Sequence, residues 1–196
     1  VVVDSQDNLV LGVNGETFSQ LIKVDSAGSE IWSVDLDIKI KKIAISAGNS
    51  IALIQSQEAA QDADSTDVEQ SLALYSSEGE KLWELSIAEI FAGDVGGLTM
   101  TSITPDAMGN LHLLFMNGIK PWLLKINPQG QLVWQKLYTQ TYFDNAVSMD
   151  VANAMLQVDN QGNAYALFER RPASPESSMI MAEVVKFDSA NGSARA

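Results

Sequence analysis

Three groups of side chains in this sequence could do chemistry. His112, the single histidine, lies in the apolar run Leu111-His112-Leu113-Leu114. An imidazole works as a general base when a nucleophile or an orienting carboxylate is tied to it. No motif ties one to His112, so it is expected to be a packed strand residue, and no catalytic residue is expected anywhere in the chain. The stretch Gln55–Ser71 carries Glu58, Asp62, Asp64, Asp67 and Glu69 without a basic residue. Calcium takes roughly six to eight oxygen ligands, and Asp62, Asp64 and Asp67 could supply some of them. The Asp-x-Asp-x-Asp-Gly loop with its later glutamate is missing, so the expected reading is a solvated acidic loop without a metal. The third group is aromatic: Trp122 after the turn Asn117-Gly118-Ile119-Lys120-Pro121, and Tyr142 and Phe143 in a polar stretch. Aromatics at a surface hold sugars or peptides by stacking and burial. Trp122, Tyr142, Phe143, Asp62, Asp64 and Asp67 are therefore the candidate contacts to a ligand or partner; the competing reading has the aromatics packed under their own loops.

The elements that must position these residues are repeats. Lys23-Val24-Asp25-Ser26-Ala27-Gly28-Ser29-Glu30-Ile31-Trp32 returns as Leu74 to Trp83 and as Lys125 to Trp134, and a fourth copy begins at Lys186 with one extra residue before Gly192. An Asx-rich turn ending in Asn8, Asn49, Asn110 or Asn163 opens each repeat. Asp and Asn bond their own backbone two residues on, and Gly or Asn tolerates positive φ, so these are tight hairpin turns. Short apolar runs flank every turn, which predicts four strands per repeat, A to D, joined as an antiparallel meander. Four-stranded units at a period of about 40 to 50 residues are the pattern of β-propeller blades, whose small sheets bury their faces only by stacking on neighbours. The expected fold is an all-β propeller with about four four-stranded antiparallel blades, near residues 1–37, 38–87, 88–138 and 139–196, the last stopping after strand C. A chain of this kind is expected to be part of a larger propeller of six to eight blades. The alternatives are two copies completing one ring, self-association through the incomplete blade, and an imperfectly closed four-bladed ring.

The markers also measure the loops. Asn8 to Gly28 and Asn110 to Gly130 span 20 residues, whereas Asn49 to Gly79 spans 30. The added length falls in B–C and D–A connections: Gln55–Ser71, Ala88–Thr99, Thr139–Asn153 and Glu169–Ser178. In an up-and-down blade these connections leave the same end of the sheet, opposite the short A–B and C–D turns. Long loops on a rigid scaffold are where binding concentrates, so the loop-bearing face is the expected functional one.

Charge narrows the partners. Twelve Lys and Arg against twenty-five Asp and Glu give a net charge of −13. Phosphate backbones are bound by cationic groups that release counterions, so no nucleic-acid partner is expected. No apolar window approaches the roughly 18 residues that cross a membrane. The absence of cysteine excludes disulfides and thiolate chemistry.

The order Lys-x-Asp-x-x-Gly-x-x-x-Trp, Lys23 to Trp32 and, with Asn127 for the aspartate, Lys125 to Trp134, resembles repeats of bacterial PQQ-like and other secreted β-propellers. The resemblance implies a tryptophan-docking motif in which Gly28, Gly79, Gly130, Trp32, Trp83 and Trp134 are structural. A quinoprotein dehydrogenase of that branch would bring an adjacent cysteine pair beneath its cofactor and a calcium site near the axis, and neither has an equivalent here. What the resemblance then implies is a non-enzymatic interaction or scaffold module of a secreted, periplasmic or cell-envelope bacterial protein. Such a module binds protein or glycan through the long-loop face and carries no cofactor. The alternative is a fragment of a larger quinoprotein-like enzyme whose active site lies outside this chain.

Overall fold

The computed structural model describes residues 1–16, 18–56, 70–91, 98–117, 120–138, 149–172 and 181–195. They form four consecutive antiparallel sheets of four strands, each in chain order. The first holds β1 (Val2–Val3), β2 (Leu9–Asn14), β3 (Ser19–Val24) and β4 (Glu30–Leu36). The second holds β5 (Lys39–Ile45), β6 (Ile51–Ser56), β7 (Gln70–Tyr75) and β8 (Lys81–Ser86). In the third are β9 (Leu98–Pro105), β10 (Leu111–Asn117), β11 (Lys120–Ile126) and β12 (Leu132–Leu137). The fourth contains β13 (Met149–Val158), β14 (Ala164–Pro172), β15 (Met181–Phe187) and β16 (Ala194–Arg195). The fold class is the expected one, all-β and built of four blades of propeller type.

By contacts the chain gathers into two units, Val1–Gly96 and Gly97–Ala196. In the first unit, Val10, Leu21 and Leu36 of the first sheet share one core with Ile51, Leu53, Ala73 and Tyr75 of the second. In the second, Leu114, Leu123 and Trp134 pack on Leu156, Ala166, Phe168, Val185 and Phe187. A single small sheet covers neither of its faces, and burying each such large apolar side chain contributes about 1.5–3 kcal/mol, so stacking in pairs is what stabilises the sheets. Close approach sets one residue type: a Cβ at Gly12 of β2 would lie 2.7 Å from Cδ1 of Ile43 in β5. Asn14, at the end of β2, reaches the same strand. Its side-chain amide donates to the Ile40 carbonyl and its Oδ1 accepts the Ile40 N–H, both at 2.8 Å. Those bonds satisfy Ile40 at the bulge where β5 slips register against β6.

Three expectations are corrected. The fourth repeat does not stop after its third strand, because Ala194 and Arg195 pair with Phe187 and Lys186 as the start of a fourth. In the fourth sheet the tryptophan position falls at Arg195, one residue before Ala196, where the four-residue spacing from glycine to tryptophan in the other repeats puts it. In the first and third sheets a bulge follows the lysine, so that Trp32 faces Lys23 and Trp134 faces Lys125. In the fourth sheet the extra turn residue takes the place of that bulge, and Arg195 stands opposite Lys186. Finally, the connections are shorter than the apolar runs suggest. β14 extends through Glu169 to Pro172, β13 starts at Met149, and Ala88–Thr99 begins inside a four-residue helix, α1 (Ile87–Ile90). Ladder hydrogen bonds belong to the backbone and continue past the last apolar side chain.

Candidate functional site

Three A–B turns and two C–D turns are built by one device. Asp4 Oδ1 accepts the N–H groups of Gln6 and Asn8 at 2.8 and 2.9 Å, while the Asn8 side-chain amide donates to Asp4 Oδ2 at 3.0 Å. Asp106 does the same with Met108 and Asn110, and Asp159 with Gln161 and Asn163. On the C–D side, Asp25 and Asn127 each accept two backbone N–H groups of their own turn.

These turns hold a cluster of buried charges. Lys23 of β3 reaches Asp4 Oδ2 at 2.8 Å and donates to the Ser77 carbonyl of the second sheet at 3.3 Å. The same carbonyl accepts the indole N–H of Trp32 at 2.9 Å. In the other unit Lys125 lies 3.5 Å from Asp106 Oδ2 and donates to the Ser189 carbonyl at 3.1 Å, and Trp134 donates to that carbonyl at 3.2 Å. One lysine and one tryptophan thus converge on one carbonyl of the neighbouring C–D turn, twice. The indoles lie on glycines: a Cβ on Gly79 would stand 3.1 Å from the Trp32 ring and one on Gly192 2.8 Å from the Trp134 ring. Both glycines also have positive φ, 87° and 68°, which a side chain disfavours.

His112 belongs to this cluster. Its Nε2 is 3.3 Å from Asp106 Oδ2 and its ring meets that of Trp134 edge-on, with centroids 5.9 Å apart. Burial pushes its pKa down, with Lys125 adding to the fall and Asp106 opposing it. Burial alone would raise the Asp106 carboxyl, but hydrogen bonds from Asn110 and His112 and the charge of Lys125 outweigh it and hold Asp106 below the usual range. A neutral imidazole beside an ionised Asp106 carries its proton on Nε2, which leaves Nδ1 a buried acceptor with no partner. As a base His112 has neither solvent access nor a nucleophile at hydrogen-bond distance; what the arrangement does is fasten two sheets. Asp159 stands in the equivalent place of the fourth sheet, where hydrogen bonds, the Asn163 amide first and Tyr165 among them, lower its pKa to about 2. Lys186 sits over the Tyr165 ring, 5.4 Å from its centroid.

The second sheet has neither charge. Ser46 replaces the aspartate and Leu74 the lysine. The pair is thus present together or absent together, a signal in the sequence that marks Asp4–Lys23 and Asp106–Lys125 as partners.

Of the candidate contacts, Trp122 is the third residue of β11, half-buried and in register between Phe115 and Leu137. Asp62, Asp64, Asp67, Tyr142 and Phe143 lie outside the described residues. Among the described residues no three His, Asp or Glu side chains converge as a metal site, and no helix is long and apolar enough to cross a membrane. At the end of the first unit that carries the B–C connections, two polar residues are buried on the core-facing sides of the sheets, Ser19 and Gln55, and the Ser19 hydroxyl has no hydrogen-bond partner.

No protein-family model matches the chain, and no curated protein matches it. Among solved structures it is similar to the crystal structure of a protein of unknown function from Bacteroides caccae, with a TM-score of 0.50 and 13% sequence identity. The match covers 90% of this chain and 57% of that one. At this identity the similarity shows the fold alone.

Proposed function

We propose that the chain is a non-catalytic interaction or scaffold module of a bacterial secreted or cell-envelope protein. On this reading it contacts protein or glycan through the B–C and D–A connections. One observation carries the reading: the two ends of the sheets are used differently. The A–B and C–D turns are short and closed by their own hydrogen bonds, and the C–D turns of the second and fourth sheets take the lysine and tryptophan contacts from the neighbouring sheet. The variable length, with Asp62, Asp64, Asp67, Tyr142 and Phe143, falls in the sequence between strands B and C and between D and A, where a rigid scaffold leaves loops free to differ. The buried Ser19 hydroxyl at the B–C end of the first unit adds a polar atom that a water or ligand would satisfy. His112, the residue best suited to acid–base work, is sealed in the opposite end, which favours binding over catalysis. The indole-on-glycine contacts of Trp32 and Trp134 support, in the same spirit, kinship with PQQ-like repeats.

The test is binding to an array of bacterial envelope glycans and to purified envelope proteins, comparing the native chain with one whose residues 57–69 are replaced by a short Gly-Ser linker. Binding lost with the linker and kept in Gly28→Ala supports the reading. Binding indifferent to all four connections, or quinone-dependent dye reduction by the chain, overturns it.

A further inference from the structure

Two polar side chains face the shared core of the first unit from opposite sheets, at the end away from Lys23. Ser19 stands on the face of β3 that carries Leu21, and Gln55 on the face of β6 that carries Leu53; both leucines belong to that core. The backbone brings the two residues to one place. Ser19 is in register with Asn14, the Asn14 side chain is bonded to the Ile40 backbone, and Ile40 is in register with Gln55. Ser19 is 0% and Gln55 1% exposed, and neither the Ser19 hydroxyl nor either end of the Gln55 amide has a hydrogen-bond partner. The Tyr75 hydroxyl is near: burial raises its pKa, and Lys81 and the Gln55 amide oppose the rise. A single hydroxyl serves at most one end of an amide.

The second unit fills the same positions with rings. Pro121 stands before Lys125 as Ser19 stands before Lys23, and Tyr138 follows Trp134 as Leu36 follows Trp32. By register Phe168 and Phe187 match Gln55 and Tyr75. There Tyr138 stacks on Phe168, with centroids 5.6 Å apart, and meets Phe187 edge-on at 5.9 Å. The Tyr138 hydroxyl donates to Glu183 at 2.6 Å. The first unit has the smaller Leu36 and Gln55 in place of the tyrosine and the phenylalanine. Ring volume is given up and hydrogen-bonding groups stand in its place, the reverse of what packing alone favours.

We propose that Ser19 and Gln55 form a buried hydration site, which holds resident water between the first two sheets. A hydroxyl and an amide carry no charge and offer both donors and acceptors, which suits a neutral occupant able to do both. Their near-complete burial restricts that occupant to the smallest such molecule, water. A buried water needs roughly two to four polar partners, and the Ser19 hydroxyl with the two ends of the Gln55 amide supplies them. Leaving buried polar atoms unpaired costs more than immobilising a water that pairs them. The sheets of the first unit are then fastened at both ends, by Lys23 and Trp32 on the Ser77 carbonyl and by water between Ser19 and Gln55. The site is closed to larger molecules, so it stands apart from partner binding through the connections.

The experiment is nuclear magnetic resonance of the full chain. Cross-relaxation between water and the side-chain amide protons of Gln55, distinguished from proton exchange by its sign, reports water that stays longer than nanoseconds. Oxygen-17 relaxation dispersion of the solvent compares long-lived water in the native chain and in Ser19→Ala with Gln55→Met, which keeps side-chain size and removes the partners. The expected result is cross-relaxation of the slow kind at Gln55 and a smaller dispersion amplitude in the variant. Circular dichroism checks that the variant folds; if it does not, the Gln55 signals of the native chain decide alone. Native Gln55 protons without slow cross-relaxation to water, or equal dispersion amplitudes in native chain and folded variant, overturn the proposal.

Discussion

Gly192 and Trp134 stand so close that no side chain fits between them: a Cβ on the glycine would meet Cε3 of the indole at 2.8 Å. The contact joins residues of different sheets, and the positive φ of Gly192 reinforces it. Gly79 under Trp32 repeats the arrangement, whereas Gly28 shares the backbone conformation without the ring.

That difference separates two costs of a methyl group. Gly28→Ala bears only the backbone strain, about 1 kcal/mol, while Gly79→Ala and Gly192→Ala add a steric conflict with an indole and should lose about 2–4 kcal/mol. Urea unfolding of the three variants gives the comparison, and equal losses at the three sites would mean that the ring contact contributes nothing.

The indole itself acts in two ways. Trp134→Ala removes a large buried ring and should cost about 3–5 kcal/mol. Trp134→Phe keeps most of the apolar contact and loses the N–H to Ser189, a loss of about 1–2 kcal/mol that thermal and urea unfolding can resolve.

The buried ion pair is tested by the protein's own second sheet. Asp4→Ala leaves the Lys23 ammonium in a buried place without its carboxylate, and breaking such a pair costs roughly 3 kcal/mol. Replacing both residues, Asp4→Ser with Lys23→Leu, copies Ser46 and Leu74 and should recover most of that loss. A double variant no more stable than Asp4→Ala would show that the charges do not act as a pair.

How much of this was legible in the sequence can be judged from particular residues. The turns announce themselves, because Asp4, Asp106 and Asp159 each precede an Asn by four residues and chain chemistry alone closes the loop between them. The four-strand repeat follows from those turns and the apolar runs. Strand ends were less legible: Glu169 to Pro172 are polar or charged apart from the proline, and their pairing rests on backbone bonds that residue type does not reveal. The place of Arg195 was hidden because a one-residue insertion and a missing bulge cancel, which only register shows. His112 reads as a lone strand histidine; its carboxylate, Asp106, is six residues away across a turn, where no spacing rule for catalytic pairs would seek it.

The same histidine fixes the pH response. In the folded chain burial holds the His112 pKa below 6.5, its ordinary value, so between the two values the unfolded chain binds a proton that the folded chain does not. Stability is then complete above pH 6.5 and declines as the pH falls toward the folded value, by at most about 1.4 kcal/mol per pH unit. The aspartates behave as a second, lower step. Asp4, Asp106 and Asp159 are all held below their ordinary 3.8, so their contribution persists above that pH and disappears as the pH drops through their folded values. His112→Val, which copies Val10 of the first sheet, removes the upper step and keeps the lower. Urea unfolding at intervals from pH 7.5 to pH 4.5 should show native stability falling below pH 6.5 and a nearly flat profile for the variant. Parallel profiles would place the proton uptake elsewhere and return His112 to the role of a packing residue.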